Sequence, residues 1–307
     1  MRNSLLLTVA AASLLTAASS AMAGTWVPVN NPFGSSSVTL FGINDNNVVT
    51  GDYLDNSGVQ HGFIGPFDGS NYKSFDDPDG VTQPRAINDK SWTTGFDTGT
   101  LAQWERSPKG TLKPITKGGN PVDFALAQGL DKAGDFVGDY SNSKGVETGA
   151  IGYKYKYTGD ISLSISNTGY AGRAIDDSGN IGGWYFDSSG IQHGFVIISG
   201  TAKKINYPNA YYTVVEGLSD KGVVSGQYQD SSGIIHGFIY SLGTGKYKDL
   251  TVPGSSLTQV WGISNKGVVA ASSDIGSYVY CTHARTCPAA GGVVKTHRIP
   301  GFKPAKL

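Results

Sequence analysis

The sequence predicts an all-β fold, a β-propeller of six blades with four antiparallel strands each, from two observations. First, a short core built around one aliphatic residue recurs at separations of 44, 43, 45, 43 and 45 residues. The six aliphatic residues are Ile43, Ile87, Leu130, Ile175, Leu218 and Ile263. Second, the chain has 43 glycines and 16 tyrosines but only 16% charged residues, a composition typical of β-strands joined by tight turns.

A small residue follows each of these aliphatic residues at a fixed offset of eight positions. The six small residues are Gly51, Gly95, Gly138, Gly183, Gly226 and Ala271. Each unit has the length of one propeller blade, about 44 residues. One such sheet cannot bury its own face, so the units are expected to pack around an axis. A β-sandwich of short strands is the alternative, but it does not require such regular repetition.

The first turn of each unit is expected to place one residue in the left-handed conformation. Glycine does so in four units, at Gly134, Gly179, Gly222 and Gly267, and Asn47 can adopt the same conformation. Ser91 occupies this position in the second unit, and we therefore expect a different turn there.

Two terminal segments both resemble the fourth strand of a blade. They are TWVPVNNP (25–32) and VVKTHRIPG (293–301). A ring of six blades needs only six fourth strands, so we expect the termini to meet in one blade, with either segment able to close it.

The N-terminus has the three regions of a secretory signal peptide: the basic MRN, an apolar stretch, and an Ala-x-Ala site ending at Ala23. We expect residues 1–23 to be removed and residues 24–307 to form one secreted or periplasmic propeller domain. No later apolar run is long enough for a membrane helix. The 24 basic and 24 acidic residues balance, which gives no footprint for nucleic acid. We expect a monomer without a cofactor or metal.

The chain has two cysteines, Cys281 and Cys287. In an exported protein they are expected to form one local disulfide. The alternative is a metal site with His283 and His297, although the spacing matches no zinc motif.

A nine-residue phrase occurs three times, as DNSGVQHGF (55–63), DSSGIQHGF (187–195) and DSSGIIHGF (230–238). Its Asp-x-x-Gly core predicts a turn, after which His-Gly-Phe begins the third strand. Together with the aliphatic-Asn-x-x-Gly turn, this phrase resembles the HAF family of extracellular bacterial repeat proteins. The second residue of the His-x-Phe motif is Gly62, Gly194 or Gly237 instead of the family's alanine. The resemblance implies export and a propeller, and no catalytic residue.

The three histidines of this phrase, His61, His193 and His236, are predicted to be structural. Each imidazole is expected to form a hydrogen bond inside its own blade, with the aspartate of the preceding turn as a candidate partner. Metal binding or general base catalysis is the alternative. Equivalent positions in separate blades, however, are too far apart to meet at one ion.

Function is expected where the repeats differ, and they differ most two positions before each aliphatic residue. The side chains there are Phe41, Arg85, Gln128, Arg173, Glu216 and Trp261. On an innermost strand they would converge near the axis and form a binding site for a carbohydrate or another small polar ligand. In the alternative interpretation they point between blades and pair, arginine with glutamate.

A second variable set comes directly after the small residues: Asp52, Phe96, Asp139, Trp184, Gln227 and Ser272. Asp52, Asp139 and Glu216 are the candidate catalytic acids, because glycoside cleavage needs two carboxylates within about 10 Å. Three hypotheses follow. The favoured one is a non-enzymatic binding module, the second a polysaccharide lyase or glycoside hydrolase on the same scaffold, and the third a purely structural or adhesive protein.

Overall fold

The computed structural model describes residues 24–29, 33–34, 37–78, 81–117, 120–121, 125–166, 168–283 and 287. The predicted signal peptide, the segment 293–301 and His297 lie outside these residues. The described part of the chain contains no helix, and so none that could cross a membrane.

Six antiparallel sheets form a closed ring of blades, which confirms the predicted six-bladed propeller. In blades I, II, IV and V the strands pair in chain order, from an innermost strand at the central channel to an outermost strand at the rim, whereas in blades III and VI strands from earlier in the chain lie at the outer edge. Each innermost strand contacts the innermost strands of both neighbouring blades, and the last contacts the first. The ring therefore has no open edge at the axis.

The strands follow one another from a single N-terminal strand, β1 (Thr25–Pro28). Blade I contains β2 (Ser37–Ile43), β3 (Val48–Leu54), β4 (Gln60–Pro66) and β5 (Lys73–Phe75). Blade II contains β6 (Thr82–Ile87), β7 (Thr93–Asp97), β8 (Gln103–Arg106) and β9 (Leu112–Pro114). Blade III contains β10 (Thr116–Lys117), β11 (Asn120–Pro121), β12 (Ala125–Leu130), β13 (Asp135–Ser141), β14 (Glu147–Tyr153) and β15 (Lys156–Asp160).

The second half of the ring is more regular. Blade IV contains β16 (Tyr170–Ile175), β17 (Ile181–Phe186), β18 (Gln192–Ile198) and β19 (Thr201–Ile205). Blade V contains β20 (Tyr212–Leu218), β21 (Val223–Gln229), β22 (Ile235–Ser241) and β23 (Lys246–Leu250). Blade VI contains β24 (Thr258–Ile263), β25 (Val268–Ser273) and β26 (Gly276–Cys281). Strand β1 is the fourth strand of blade VI. Among the described residues, only blade III departs from four strands, because β10 and β11 add to its outer edge.

The N-terminal strand completes blade VI. Strand β1 pairs antiparallel with β26 and takes the outermost position, with Trp26 opposite Tyr280. The two rings lie 4.9 Å apart between centroids. At the end of β26, Cys281 forms the predicted disulfide with Cys287. The termini thus meet in one blade, as predicted, and the TWVPVNNP segment (25–32) supplies the closing strand.

The first turn of blade II is left-handed like the others. The glycines at this position have φ values such as 76° at Gly179, and Asn47 has 60°. Ser91 also has φ 60°, so the prediction of a different turn in blade II is wrong. The reason is Asn88, whose Oδ1 accepts hydrogen bonds from the backbone N–H groups of Lys90 and Trp92, both at 3.0 Å. This Asx-type arrangement holds the turn without glycine.

The hydrophobic core lies between blades. Phe63 of blade I packs with Val268 and Val279 of blade VI. Phe238 of blade V packs with Val196 of blade IV. Each phenylalanine of the His-Gly-Phe motif is fully buried, so the repeated phrase supplies one anchor to a blade interface.

Candidate functional site

A β-bulge interrupts the innermost strand of every blade at the variable position. In blade I the register between β2 and β3 shifts between Leu40 and Gly42, so Phe41 has no opposite residue. The same shift occurs in the other blades at Arg85, Gln128, Arg173, Glu216 and Trp261. Because a bulge redirects the side chain of the extra residue, it re-aims all six variable side chains.

The bulge also explains the small residue at the fixed offset. It brings the carbonyl group two residues before the bulge against the second strand. A Cβ atom on Gly138 would lie 1.8 Å from the Leu126 carbonyl oxygen, and one on Gly183 would lie 2.0 Å from that of Ala171. In blade VI, where the register shift also includes Gly262, alanine occupies this position as Ala271.

The bulge side chains meet at the central channel, and we call them the bulge ring. Five of them line a cavity of about 70 Å³: Phe41, Arg85, Gln128, Arg173 and Glu216. The sixth, Trp261, packs edge-on against Phe41, with centroids 5.0 Å apart. The structure therefore brings together all six residues that the repeat singled out.

Arg85 is a fixed part of the cavity wall. Its guanidinium carbon lies 4.5 Å from the ring centroid of Phe41 and 4.6 Å from that of Trp261. Its Nε donates a hydrogen bond of 2.7 Å to Oε1 of Gln128. Burial lowers the pKa of Arg85 to about 10, and Arg173 adds to this effect, so the group stays charged at neutral pH. Cation–π contacts of this kind stabilise a partly desolvated guanidinium.

Arg173 and Glu216 fit both interpretations of the variable position, convergence at the axis and pairing between blades. Nε of Arg173 lies 4.0 Å from Oε2 of Glu216 in the next blade, and both residues also line the cavity. Oε1 of Glu216 accepts a hydrogen bond of 3.1 Å from Gln227. The arginine–glutamate contact between blades is thus part of the cavity wall.

Several buried polar atoms around the bulge ring have no hydrogen-bond partner among the described residues. They include the donors Gln128 Nε2, Arg173 Nε and Trp261 Nε1, and the acceptors Asp139 Oδ1 and Gln227 Oε1. An unpaired buried polar group costs free energy, and native structures pair nearly all of them. Gln128 and Arg173 line the cavity, whereas Asp139, Gln227 and Trp261 lie beside it, so the unpaired groups belong partly to the cavity wall and partly to the layer behind it.

The candidate acids Asp52 and Asp139 are buried but do not line the cavity. Oδ2 of Asp52 accepts hydrogen bonds from Gln60 and Gln83, and burial still raises the pKa of Asp52 to about 6. Burial also raises the pKa of Asp139 well above its usual value, although Arg173 opposes the shift. Of the three candidate acids, only Glu216 reaches the cavity wall.

The channel has a second polar layer that sequence reasoning missed. Beyond a collar formed by the six aliphatic residues, backbone N–H groups of the first turns donate to side chains of the next blade. Examples are Asp45 to Asp89 at 2.8 Å, Asp220 to Asn265 at 2.7 Å and Asn265 to Asp45 at 2.6 Å. The signal was the residue two positions after each aliphatic anchor, which is Asp or Asn in five of six units.

The three histidines lie away from the channel cavities and bond to their own turns. Nε2 of His193 lies 2.9 Å from Oδ2 of Asp187, and Nε2 of His236 lies 3.0 Å from Oδ2 of Asp230. His61 is 3.4 Å from Asp55 and also contacts a second carboxylate, Asp76, at 2.7 Å. The aspartate of the preceding turn is thus the partner of each histidine, as predicted, while the structural role of the histidines stays a prediction.

Replacing His61 with threonine is expected to lower the free energy of unfolding by about 1 kcal/mol. Threonine is the natural residue at this register position in blade III, Thr148. Burial alone would lower the pKa of His61, but the hydrogen bonds that its ring donates to Asp76 and Asp55 raise this pKa. The histidine's contribution is therefore present below pH 6.5 and is lost as pH rises through the folded-state pKa. Urea unfolding at pH 5.5 and 8.5 measures it; an equal loss at both values would contradict the ion-pair explanation.

Solved structures of other propeller proteins share this fold at low sequence identity. TolB from Acinetobacter baumannii has 14% identity and a TM-score of 0.50, over 82% of this chain and 65% of that chain. A catalytically inactive virginiamycin B lyase from Staphylococcus aureus with quinupristin has 11% identity and a TM-score of 0.53, over 84% and 98%. A mutant of AofleA from Arthrobotrys oligospora has 9% identity and a TM-score of 0.50, over 84% and 85%.

These identities establish the fold alone, and this chain spans less than two thirds of the TolB chain. No protein-family model and no curated protein matches the sequence. The resemblance to the HAF family therefore stays a prediction.

Proposed function

We propose that this protein is an exported binding module whose bulge ring takes a hydroxyl-rich ligand, of which a carbohydrate is the main class. The observation that supports this is the convergence of charged and amide side chains, Arg85, Gln128, Arg173 and Glu216, beside the aromatic pair Phe41 and Trp261. A sugar hydroxyl both donates and accepts hydrogen bonds, and the faces of a sugar ring pack on aromatic side chains.

The size and charge of the cavity narrow the ligand further. A cavity of about 70 Å³ has room for roughly five water molecules, so it takes one terminal group of a ligand and not the middle of a polymer. Two guanidinium groups, Arg85 and Arg173, face one lining carboxylate, Glu216. This balance favours a neutral or carboxylated sugar over an amino sugar.

Replacing Arg173 with methionine is expected to weaken ligand binding at least tenfold in a protein that still folds, with a lower thermal midpoint because Glu216 loses its opposing charge. The substitution keeps the apolar stem but removes donors, and losing a hydrogen bond to a charged group costs roughly 1.5–3 kcal/mol. Nε of Arg173 has no hydrogen-bond partner among the described residues, but it lies 4.0 Å from Oε2 of Glu216, so the variant also loses an ion pair and its thermal midpoint is measured beside its binding. The measurement is a glycan array with the processed protein, followed by titration of each hit.

Arg106 provides the matched control. It is also a buried arginine whose Nε has no hydrogen-bond partner in the described part of the chain, and its guanidinium carbon lies 4.4 Å from the Phe75 ring, remote from the channel cavities. Arg106→Met should bind ligands like the wild type. Equal binding by Arg173→Met, or equal loss in both variants, would refute the bulge ring as the binding site.

The second candidate is a lyase or glycoside hydrolase on the same scaffold. The raised pKa values of Asp52, about 6, and of Asp139 favour it, since perturbed carboxylates are common in catalytic sites. Incubating the array hits with the protein and analysing the products separates the two functions. Cleavage that disappears in Asp139→Asn would establish the enzyme, and intact ligands support the binding module.

A further inference from the structure

A second and larger cavity lies between blades V and VI and shares Ser264 and Asn265 with the second polar layer of the channel. Its volume is about 470 Å³, within the range of small-molecule pockets. Val223 and Ile239 contribute apolar side chains, both half-buried. We call this cavity the seam groove, because it borders the blade that β1 completes.

The groove occurs where the repeat is interrupted. In the other blades a hairpin joins the third strand to the fourth, as between β22 and β23. In blade VI the fourth strand comes from the N-terminus, and β26 continues instead into Thr282 and His283, which line the groove. The interruption of the repeat thus gives the interface between blades V and VI a shape that the regular repeat does not produce in the other blades.

The rim of the seam groove is strongly basic. Four exposed lysines line it, Lys221, Lys246, Lys248 and Lys266, and none of its lining residues is acidic. The whole chain has equal numbers of basic and acidic residues, so this local excess is not a consequence of composition. Lysine stems also cover apolar surface while their ammonium groups stay in water. The groove therefore combines an apolar interior with positive charge at its mouth.

We propose that the seam groove binds a single-chain amphipathic carboxylate, with the hydrocarbon chain against Val223 and Ile239 and the carboxylate among the lysines. Burial of the hydrocarbon chain stabilises the complex, and the rim provides the complementary charge. The chain's own C-terminal segment, residues 288–307, is the competing occupant. It contains Lys295, Arg298, Lys303 and Lys306 and no acidic side chain, so charge disfavours it.

The test is calorimetric titration of the processed full-length protein with dodecanoate below its micelle concentration. We expect saturable binding of one molecule per chain. Dodecyltrimethylammonium, which has the same chain length and the opposite charge, should neither bind nor compete. The double variant Lys246→Gln/Lys248→Gln should bind dodecanoate at least tenfold more weakly, because these lysines lie on β23 at the groove.

A matched control removes the same charge elsewhere. Lys73 and Lys204 are exposed on β5 and β19, the equivalent fourth strands of blades I and IV, and do not line the groove. Lys73→Gln/Lys204→Gln should bind dodecanoate like the wild type. No saturable binding by the full chain, equal weakening in both double variants, or equal binding of the cationic amphiphile would overturn the proposal. None of these results bears on the bulge ring, because the two cavities share no lining residue.

Discussion

Replacing Gly138 with alanine is expected to lower the free energy of unfolding by about 4 kcal/mol or more, and so to unfold the protein near room temperature or prevent its folding. The new Cβ would lie 1.8 Å from the carbonyl oxygen of Leu126, a backbone atom that cannot rotate away. Relief would require loss of the bulge at Gln128, and with it the register of β12. Denaturant unfolding or the yield of folded protein measures the effect.

Gly159→Ala is the control for this prediction, because it makes the same substitution on β15 of the same blade. No atom lies within 4 Å of its added Cβ, and its backbone φ is not in the left-handed region. This variant should be as stable as the wild type or slightly more stable. A Gly138→Ala protein of wild-type stability would show that no bulge carbonyl approaches this position.

Replacing Glu105 with glutamine is expected to stabilise the protein by about 3 kcal/mol at pH 8 and to leave it nearly unchanged at pH 4. Glu105 is 2% exposed, and its Oε2 has no hydrogen-bond partner among the described residues. The same register position holds aliphatic residues in the three blades that carry the His-Gly-Phe motif, Ile64, Val196 and Ile239. Burial raises the pKa of Glu105 from 4.5 to about 7, although a hydrogen bond from the Tyr155 backbone and the charges of Lys154 and Lys113 oppose the shift.

The direction of the pH effect follows from proton binding. Between about pH 4.5 and 7 the folded protein holds a proton on Glu105 that the unfolded chain has released. Folding stability is therefore greatest below pH 4.5 for this group and falls as pH rises to 7. Glutamine mimics the protonated acid and does not titrate, so its curve should lack this decline. Urea unfolding from pH 4 to 8 measures it; a constant difference between variant and wild type would contradict a titrating Glu105.

The repeat was enough to predict the ring of blades, because the spacing of Ile43 and its equivalents reflects one sheet copied six times. It also identified the bulge-ring residues, since variation against a constant frame marks a position that packing does not determine. The bulge itself could not be predicted. It depends on the register between two strands, and a sequence such as LFGI fits a regular strand equally well.

Other differences have local causes. Ser91 adopts the left-handed conformation because Asn88 holds the turn, a contact that depends on side-chain geometry and not on residue type at the turn position. The candidate acids Asp52 and Asp139 each follow a bulge-ring residue by 11 positions in the sequence, but the structure places them behind the cavity wall. The seam groove had no sequence signal, because it results from which terminal segment completes blade VI.

Completion of blade VI by β1 has a consequence for the order of assembly. Thr25 pairs with Cys281, so β1 cannot find its partner until synthesis has reached β26. Contacts between residues about 250 positions apart form slowly, because a long loop must be ordered first. Until β1 pairs with β26, the outer edge of β26 stays unpaired, and an incompletely synthesised chain cannot close into a rigid ring.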